Sequence, residues 1–181
     1  GTVDVDQSFT ITVNPVSDAP VNSVPSAQSV DEDTTLTFNA ANTNLISISD
    51  VDAASSLVAV TLTATNGVLT LSGTTGLTIT APSDGTDDAS MAFTGTITDI
   101  NTALDGMIFT PTAGYNGAAS VQIVTSDEGN TGSGGALSDD DTLNITVNAV
   151  NDAPVNTVPA AQTMDEDTAL AFTGANLISI S

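Results

Sequence analysis

Apolar and polar residues alternate with a period of two along most of this chain, and Gly, Pro, Asn and Asp break the alternation at short intervals. Successive side chains of an extended strand point to opposite faces, so the pattern reads as a series of half-buried strands. It predicts strands over residues 9–13 (FTITV), 36–38, 45–48, 58–65, 68–71, 77–80, 91–96, 107–110, 120–125 and 143–147. Within 58–65, Val58, Val60, Leu62 and Ala64 share one face, and Ala59, Thr61, Thr63 and Thr65 share the other. Asn66-Gly67 follows directly. Both residues tolerate positive φ, so the pair predicts a two-residue hairpin turn leading back through 68–71. One stretch has helical spacing instead: Ile100, Ala103 and Leu104 fall on one face, with Asp99 as the expected N-cap and Gly106 as the stop. About seven to nine short strands rich in Thr and Val predict an all-β fold, an antiparallel β-sandwich with one short helix. Residues 84–88 and 128–141 read as Gly-, Ser- and Asp-rich loops, the second capping one end of the sandwich.

The pattern also repeats. FTITVNPVSDAPVNSVPSAQSVDEDTTLTF, from Phe9, returns as LNITVNAVNDAPVNTVPAAQTMDEDTALAF, from Leu143. Ile11 meets Ile145 and Asp18 meets Asp152, 134 residues on; after a two-residue deletion Asn44 meets Asn176, 132 residues on. A period the size of a whole domain predicts a tandem array rather than a solenoid, whose units are far shorter. The expected division is 1–17 as the last strand and linker of a preceding repeat, 18–150 as one complete repeat, and 151–181 as a linker and the first strands of the next.

Charge narrows the chemistry. The chain has 22 Asp plus Glu and no Lys, Arg or His, a formal net charge of −22. Nucleic acid is excluded as a partner, because phosphate binding requires cationic side chains, and docking on anionic lipid fails for the same reason. No run of apolar residues is long enough to span a bilayer, so no direct membrane contact is expected. Without His, Cys, Lys or Arg there is no general base of the common kind, no activated thiol or amine and no guanidinium clamp. Carboxylate-pair hydrolysis stays formally open, but the reading is that this is not an enzyme. Aromatic residues are 3% and Trp is absent, which leaves no sugar-stacking platform. Hydrophobic residues at 40% suffice for a packed core, so the acidity does not mean disorder. Only Glu32, Glu128 and Glu166 are Glu; the other acids are Asp, a residue suited to turns and to chelating hard cations together with its own backbone.

The acids and amides form five clusters: Asn14/Ser17/Asp18, Asp31-Glu32-Asp33, Asp50-Val51-Asp52, Asp127-Glu128-Gly129-Asn130 and Asn148/Asn151/Asp152. Each lies at a strand end, so a sandwich would deliver them to its two poles. Two carboxylates held 4 Å apart repel by roughly 4 kcal/mol at an effective dielectric near 20. Ca2+, which takes six to eight oxygen ligands, relieves that repulsion; solvated turn acids are the alternative.

In the order of these clusters the chain resembles the cadherin repeat, and more closely its bacterial, Ig-like form in giant calcium-binding surface adhesins. The stretch matching the family's D-x-N-D-N-A-P linker is Asn148-Ala149-Val150-Asn151-Asp152-Ala153-Pro154. Glu32 falls on the early Glu, Asp50-Val51-Asp52 on D-x-D, and Asp127-Glu128-Gly129 on D-x-G; Tyr115-Asn116-Gly117 matches a corner of the bacterial type. The resemblance covers the central unit. It implies Ca2+ held by Asp18, Asp50, Asp52 and Asp127 at an upstream junction, and by Glu32, Asn148, Asn151 and Asp152 at a downstream one. There is no D-R-E motif, and Ser17, Asn148 and Asn151 stand where the family carries Asp, which implies weaker or fewer ions. Asn144-Ile145-Thr146 matches a glycosylation sequon inside a strand and reads as fortuitous.

These readings together predict a calcium-stiffened structural repeat of an extracellular bacterial adhesin or cell-surface fibre, which extends a distal binding region from the cell. Its partners would be neighbouring repeats of the same chain. The alternative is a subunit of a self-assembling extracellular filament or sheath, whose partners would be other copies; a ligand-binding module of a secreted enzyme ranks third.

Overall fold

The structure is a computed structural model that describes residues 8–129 and 132–181. The chain divides into a first unit ending at Ala149 and a second, Val150–Ser181.

In the first unit eleven strands and one helix follow one another: β1 Val21–Ser23, β2 Gln28–Asp31, β3 Leu36–Phe38, β4 Ser47–Ser49, β5 Val58–Thr65, β6 Gly67–Thr70, β7 Thr78–Ile79, β8 Ser90–Gly95, α1 Ile97–Leu104, β9 Met107–Pro111, β10 Gly117–Ser126 and β11 Ser138–Asn148. The larger sheet has the order β2-β11-β10-β5-β8-β7, the smaller β3-β9-β6, and β1 pairs with β4 alone. The two sheets share one core, sandwich-like, with Phe38, Leu62, Phe93, Leu104, Phe109 and Ile123 fully buried. Each such side chain contributes about 1.5–3 kcal/mol by leaving water. In β5 the predicted face, Val58, Val60, Leu62 and Ala64, is the buried one.

Several expectations need correction. The architecture is mostly β, but the larger sheet is mixed rather than antiparallel, because β11 runs parallel to β2. Asn66-Gly67 is not a hairpin turn. β5 pairs with β8 and β10, whereas β6 pairs with β9 in the other sheet, so the chain crosses between layers at Asn66. Asn66 takes φ 55°. A Cβ on Gly67 would run into the Phe109 ring. Crossing there keeps the alternation in step, since Leu69 reaches the core beside Phe109. The helix is capped by Thr96, not Asp99: the Thr96 hydroxyl accepts the Asp99 amide at 3.2 Å and donates to the Asp99 carboxylate at 2.7 Å. Ile100, Ala103 and Leu104 are buried as predicted. Ser138–Asp141, read as loop, belong to β11, where Ser138 pairs with Ser126. Residues 9–13 form no strand; Phe9, Ile11 and Val13 are exposed. A strand needs a neighbouring ladder to satisfy its backbone, and residues 9–13 have none among the described residues.

The second unit carries β12 Asn156–Thr157 and β13 Ser179–Ile180, paired antiparallel, and a short 3-10 turn, Gly174–Asn176. Three features of its local geometry repeat those of the first unit at equivalent positions. Asn156 pairs with Ile180 and Thr157 with Ser179, as Asn22 pairs with Ile48 and Ser23 with Ser47. The Thr168 hydroxyl donates to the Asp165 carbonyl at 2.7 Å, as Thr34 does to Asp31. Asp167 (φ 63°) and Asp33 (φ 59°) both adopt the left-handed conformation.

Candidate metal centre

The β1/β4 ladder explains how one cluster assembles. Val21 lies opposite Ser49, so the residues before β1 and those after β4 emerge at the same end. There the Asp18 amide donates to Asp52 Oδ2 at 2.7 Å. Asp50 Oδ1 accepts the amides of Asp52 (2.8 Å) and Ala53 (3.1 Å), folding residues 50–53 into a tight Asx turn. The other oxygen, Asp50 Oδ2, is buried and finds no hydrogen-bond partner among the described residues.

Asp127, at the end of β10, joins this cluster through the neighbouring Ser17. Ser17 Oγ donates to Asp127 Oδ2 at 2.9 Å, and Oδ1 accepts the amides of Gly129 (2.9 Å) and Leu137 (2.7 Å). Asp127 is 1% exposed. Burial pushes its carboxyl pKa up, but the Gly129 and Leu137 amides and the Ser17 hydroxyl outweigh burial and hold it below the usual carboxylate value. The loop after β10 also clasps the chain before β1: the Ser17 amide donates to the Ser133 carbonyl, and the Ser133 amide to the Pro15 carbonyl, each at 3.2 Å. Asn130, which the sequence grouped with Asp127, lies outside the described residues.

Sequence reasoning missed two supports of this end. Asn22 is buried; its amide donates to Asp139 Oδ2 at 2.7 Å and its side-chain oxygen accepts the buried Thr125 hydroxyl at 2.6 Å. A single polar residue between Val21 and Ser23 carries no signal that it points inward, so only the pairing of β1 with β4 reveals it.

The opposite end of the first unit gathers Glu32 and Asn148. The parallel register sets Asn148 opposite Asp31; the Glu32 amide donates to the Asn148 carbonyl at 2.9 Å, and Asn148 Nδ2 donates to Asp31 Oδ1 at 3.0 Å. Glu32 is buried, with Oε2 3.5 Å from Asn116 Nδ2. Asp31 was not among the predicted ligands, yet its carboxylate is the one Asn148 touches. At the neighbouring corner the Tyr115 hydroxyl donates to the Ala118 carbonyl at 2.6 Å and accepts from Asn66 Nδ2 at 3.0 Å. Asn151 and Asp152 belong to the second unit, where both are exposed and Asn151 Nδ2 lies 3.5 Å from the Asp152 carbonyl.

Among the described residues no three Asp or Glu side chains come close enough to hold an ion by carboxylates alone. An ion here would draw on at most two carboxylates plus backbone or water oxygens, a donor set that Ca2+ accepts. Asp127 is already engaged by three protein donors, so the carboxylates best disposed toward an ion are those of Asp50 and Asp52.

No family model matches the sequence, and no curated protein matches it. Among solved structures, the ASH / PapD-like domain of human CEP192 (PapD-like domain 7) is similar over 83% of this chain and 100% of that domain, at 8% identity and a TM-score of 0.32. A likeness at that level carries no conclusion about fold family or function.

Proposed function

We propose that this chain is a calcium-stiffened structural repeat of an extracellular bacterial adhesin or surface fibre. On this reading it has no catalytic role, and its work is to hold a distal binding region away from the cell. The recurrence of the same ladder, hydroxyl bond and left-handed Asp 134 or 132 residues apart supports a tandem array. The cation assignment is carried by one observation: Asp50 Oδ2 is buried without a donor among the described residues, in a chain that has no cationic side chain to offer it. A buried carboxylate oxygen left unpaired costs about 1–3 kcal/mol or more, and an oxygen-seeking cation removes that cost. Asp50 and Asp52 would hold the ion together with backbone or water oxygens, with Asp127 and Ser17 fixing the neighbouring segment that carries Asp18.

The test is calcium-dependent stability of the 181-residue chain. Sites of this kind have Kd on the order of 10⁻⁴–10⁻³ M, so millimolar Ca2+ adds roughly 0.4–1.4 kcal/mol per site. Asp50→Asn is expected to abolish the gain attributable to the β1/β4 end, while Asp152→Ala changes it less, because Asp152 has no buried oxygen to satisfy. A parent melting temperature that does not move with Ca2+, or an Asp50→Asn variant that gains as much as the parent, ends this reading.

A further inference from the structure

The chain enters and leaves the first unit at opposite ends of β11. At the entry, Ser17 Oγ donates to Asp127 Oδ2 at 2.9 Å, and Asp127 directly follows Ser126, which pairs with Ser138 at the start of β11. The exit is Asn148, the last residue of β11. Strands rise about 3.4 Å per residue, so the eleven residues of β11 separate entry from exit by roughly 34 Å. Between those ends residues 17–31 run alongside β11 in its own direction. Asn22 in β1 donates its amide to Asp139 Oδ2 at 2.7 Å, near the start of β11, and Gln28–Asp31 lie parallel to Ile145–Asn148 at its end. Tension along the chain therefore pulls residues 17–31 one way and β11 the other, along their common axis. Hydrogen bonds between strands lie across that axis, so such a load shears the whole set together instead of opening one pair at a time. β11 is held from its other side as well, by ten antiparallel pairs with β10.

We propose that the first unit bears tension in shear, with the β2/β11 ladder and the buried Asn22 as the latches that carry force passing along the chain. Asn22 suits this role because three of its polar groups reach β10 and β11. Its amide meets Asp139, its Oδ1 accepts the Thr125 hydroxyl at 2.6 Å, and its Nδ2 lies 3.4 Å from the Ile123 carbonyl. Asn22 is 7% exposed, so water does not readily replace those bonds as they stretch. The direction of β2 is decisive. An antiparallel β2 would enter beside Asn148, and a pull on both strands there would peel them apart pair by pair. The inference rests on the fibre reading only in that a fibre loads its repeats through the chain; no ion takes part in it.

The chain has no cysteine, so two introduced thiols define a pulling axis. Ser8→Cys/Ala149→Cys loads the first unit along the chain. Ala118→Cys/Ala149→Cys loads it across the strands, because Ala118 lies opposite Thr146 at the exit end of β11. Both full-length variants are pulled at one speed, in chelator, by single-molecule force spectroscopy. Forced unfolding reads the unfolding barrier, and the along-chain force is expected to be severalfold the across-strand force. Adding Asn22→Ala should lower the along-chain force and leave the across-strand force unchanged, since opening from Ala118 begins at the far end of β11 from Asp139. A merely destabilised fold would weaken on both axes. Equal forces on the two axes overturn the proposal, as does an Asn22→Ala change that lowers both alike or neither. With chelator present throughout, these outcomes are separate from the calcium-dependent melting that tests the proposed function.

Discussion

The β1/β4 ladder of the first unit and the β12/β13 ladder of the second have the same register, yet one is backed by a core and the other is not. Phe38, Ile46 and Ile48 are buried at 0%, 0% and 4% exposure; their counterparts Phe172, Ile178 and Ile180 stand at 48%, 55% and 73%. The Thr–Asp carbonyl bond, the left-handed Asp and two matching ladder pairs form in both. Turn chemistry and short pairing therefore follow from about thirty residues of local sequence. Burial requires the strands that arrive later, β5 through β11, which residues 150–181 have no counterpart for.

The comparison breaks most visibly at the paired phenylalanines. Phe38→Ala should destabilise the first unit by about 3–5 kcal/mol through lost transfer energy and a cavity, and Phe172→Ala should change stability by less than about 0.5 kcal/mol. Urea unfolding followed by circular dichroism measures both; similar losses would mean that Phe172 is buried in solution. A smaller contrast is expected at Asn22 and Asn156. Asn22→Ala leaves the buried Thr125 hydroxyl without its 2.6 Å acceptor and should cost about 1–3 kcal/mol, while Asn156→Ala, at an exposed position, should be near neutral.

The finest probe is pH. Asp127 has a folded pKa below its unfolded value of about 3.9, so its contribution is fully present above that value and is lost as pH falls through the folded one. Nothing in residues 150–181 corresponds to it. In chelator, Asp127→Asn should therefore flatten the loss of first-unit stability below about pH 4 while leaving β12/β13 amide exchange unchanged. An acid profile as steep as the parent's would assign that loss to other carboxylates.

Sequence alone made the face of β5, the buried side of α1 and the repeat register legible, because each depends on periodicity within a single segment. It misplaced what depends on a distant partner. Asn66-Gly67 carries the composition of a hairpin turn, but the β9 edge beside Phe109 draws β6 into the other sheet. The polar residues at the first-unit ends were legible as clusters; their division of labour was not. Asp127 and Asp50 look alike in sequence, yet one carboxylate is engaged by three donors and the other keeps a buried oxygen with none.

What the sequence determined by itself is local and compositional: alternating strands, turns that tolerate left-handed Asp and Asn, and 22 acids with no cationic side chain, which forbids side-chain ion pairs. What only the tertiary structure decided is which of two nearly identical segments is buried, which strand runs parallel, and which acid is left without a donor. Backbone conformation is set within a few residues by sterics and short hydrogen bonds, whereas burial and hydrogen-bond satisfaction are set by groups more than a hundred residues away, as between Ser17 and Asp127.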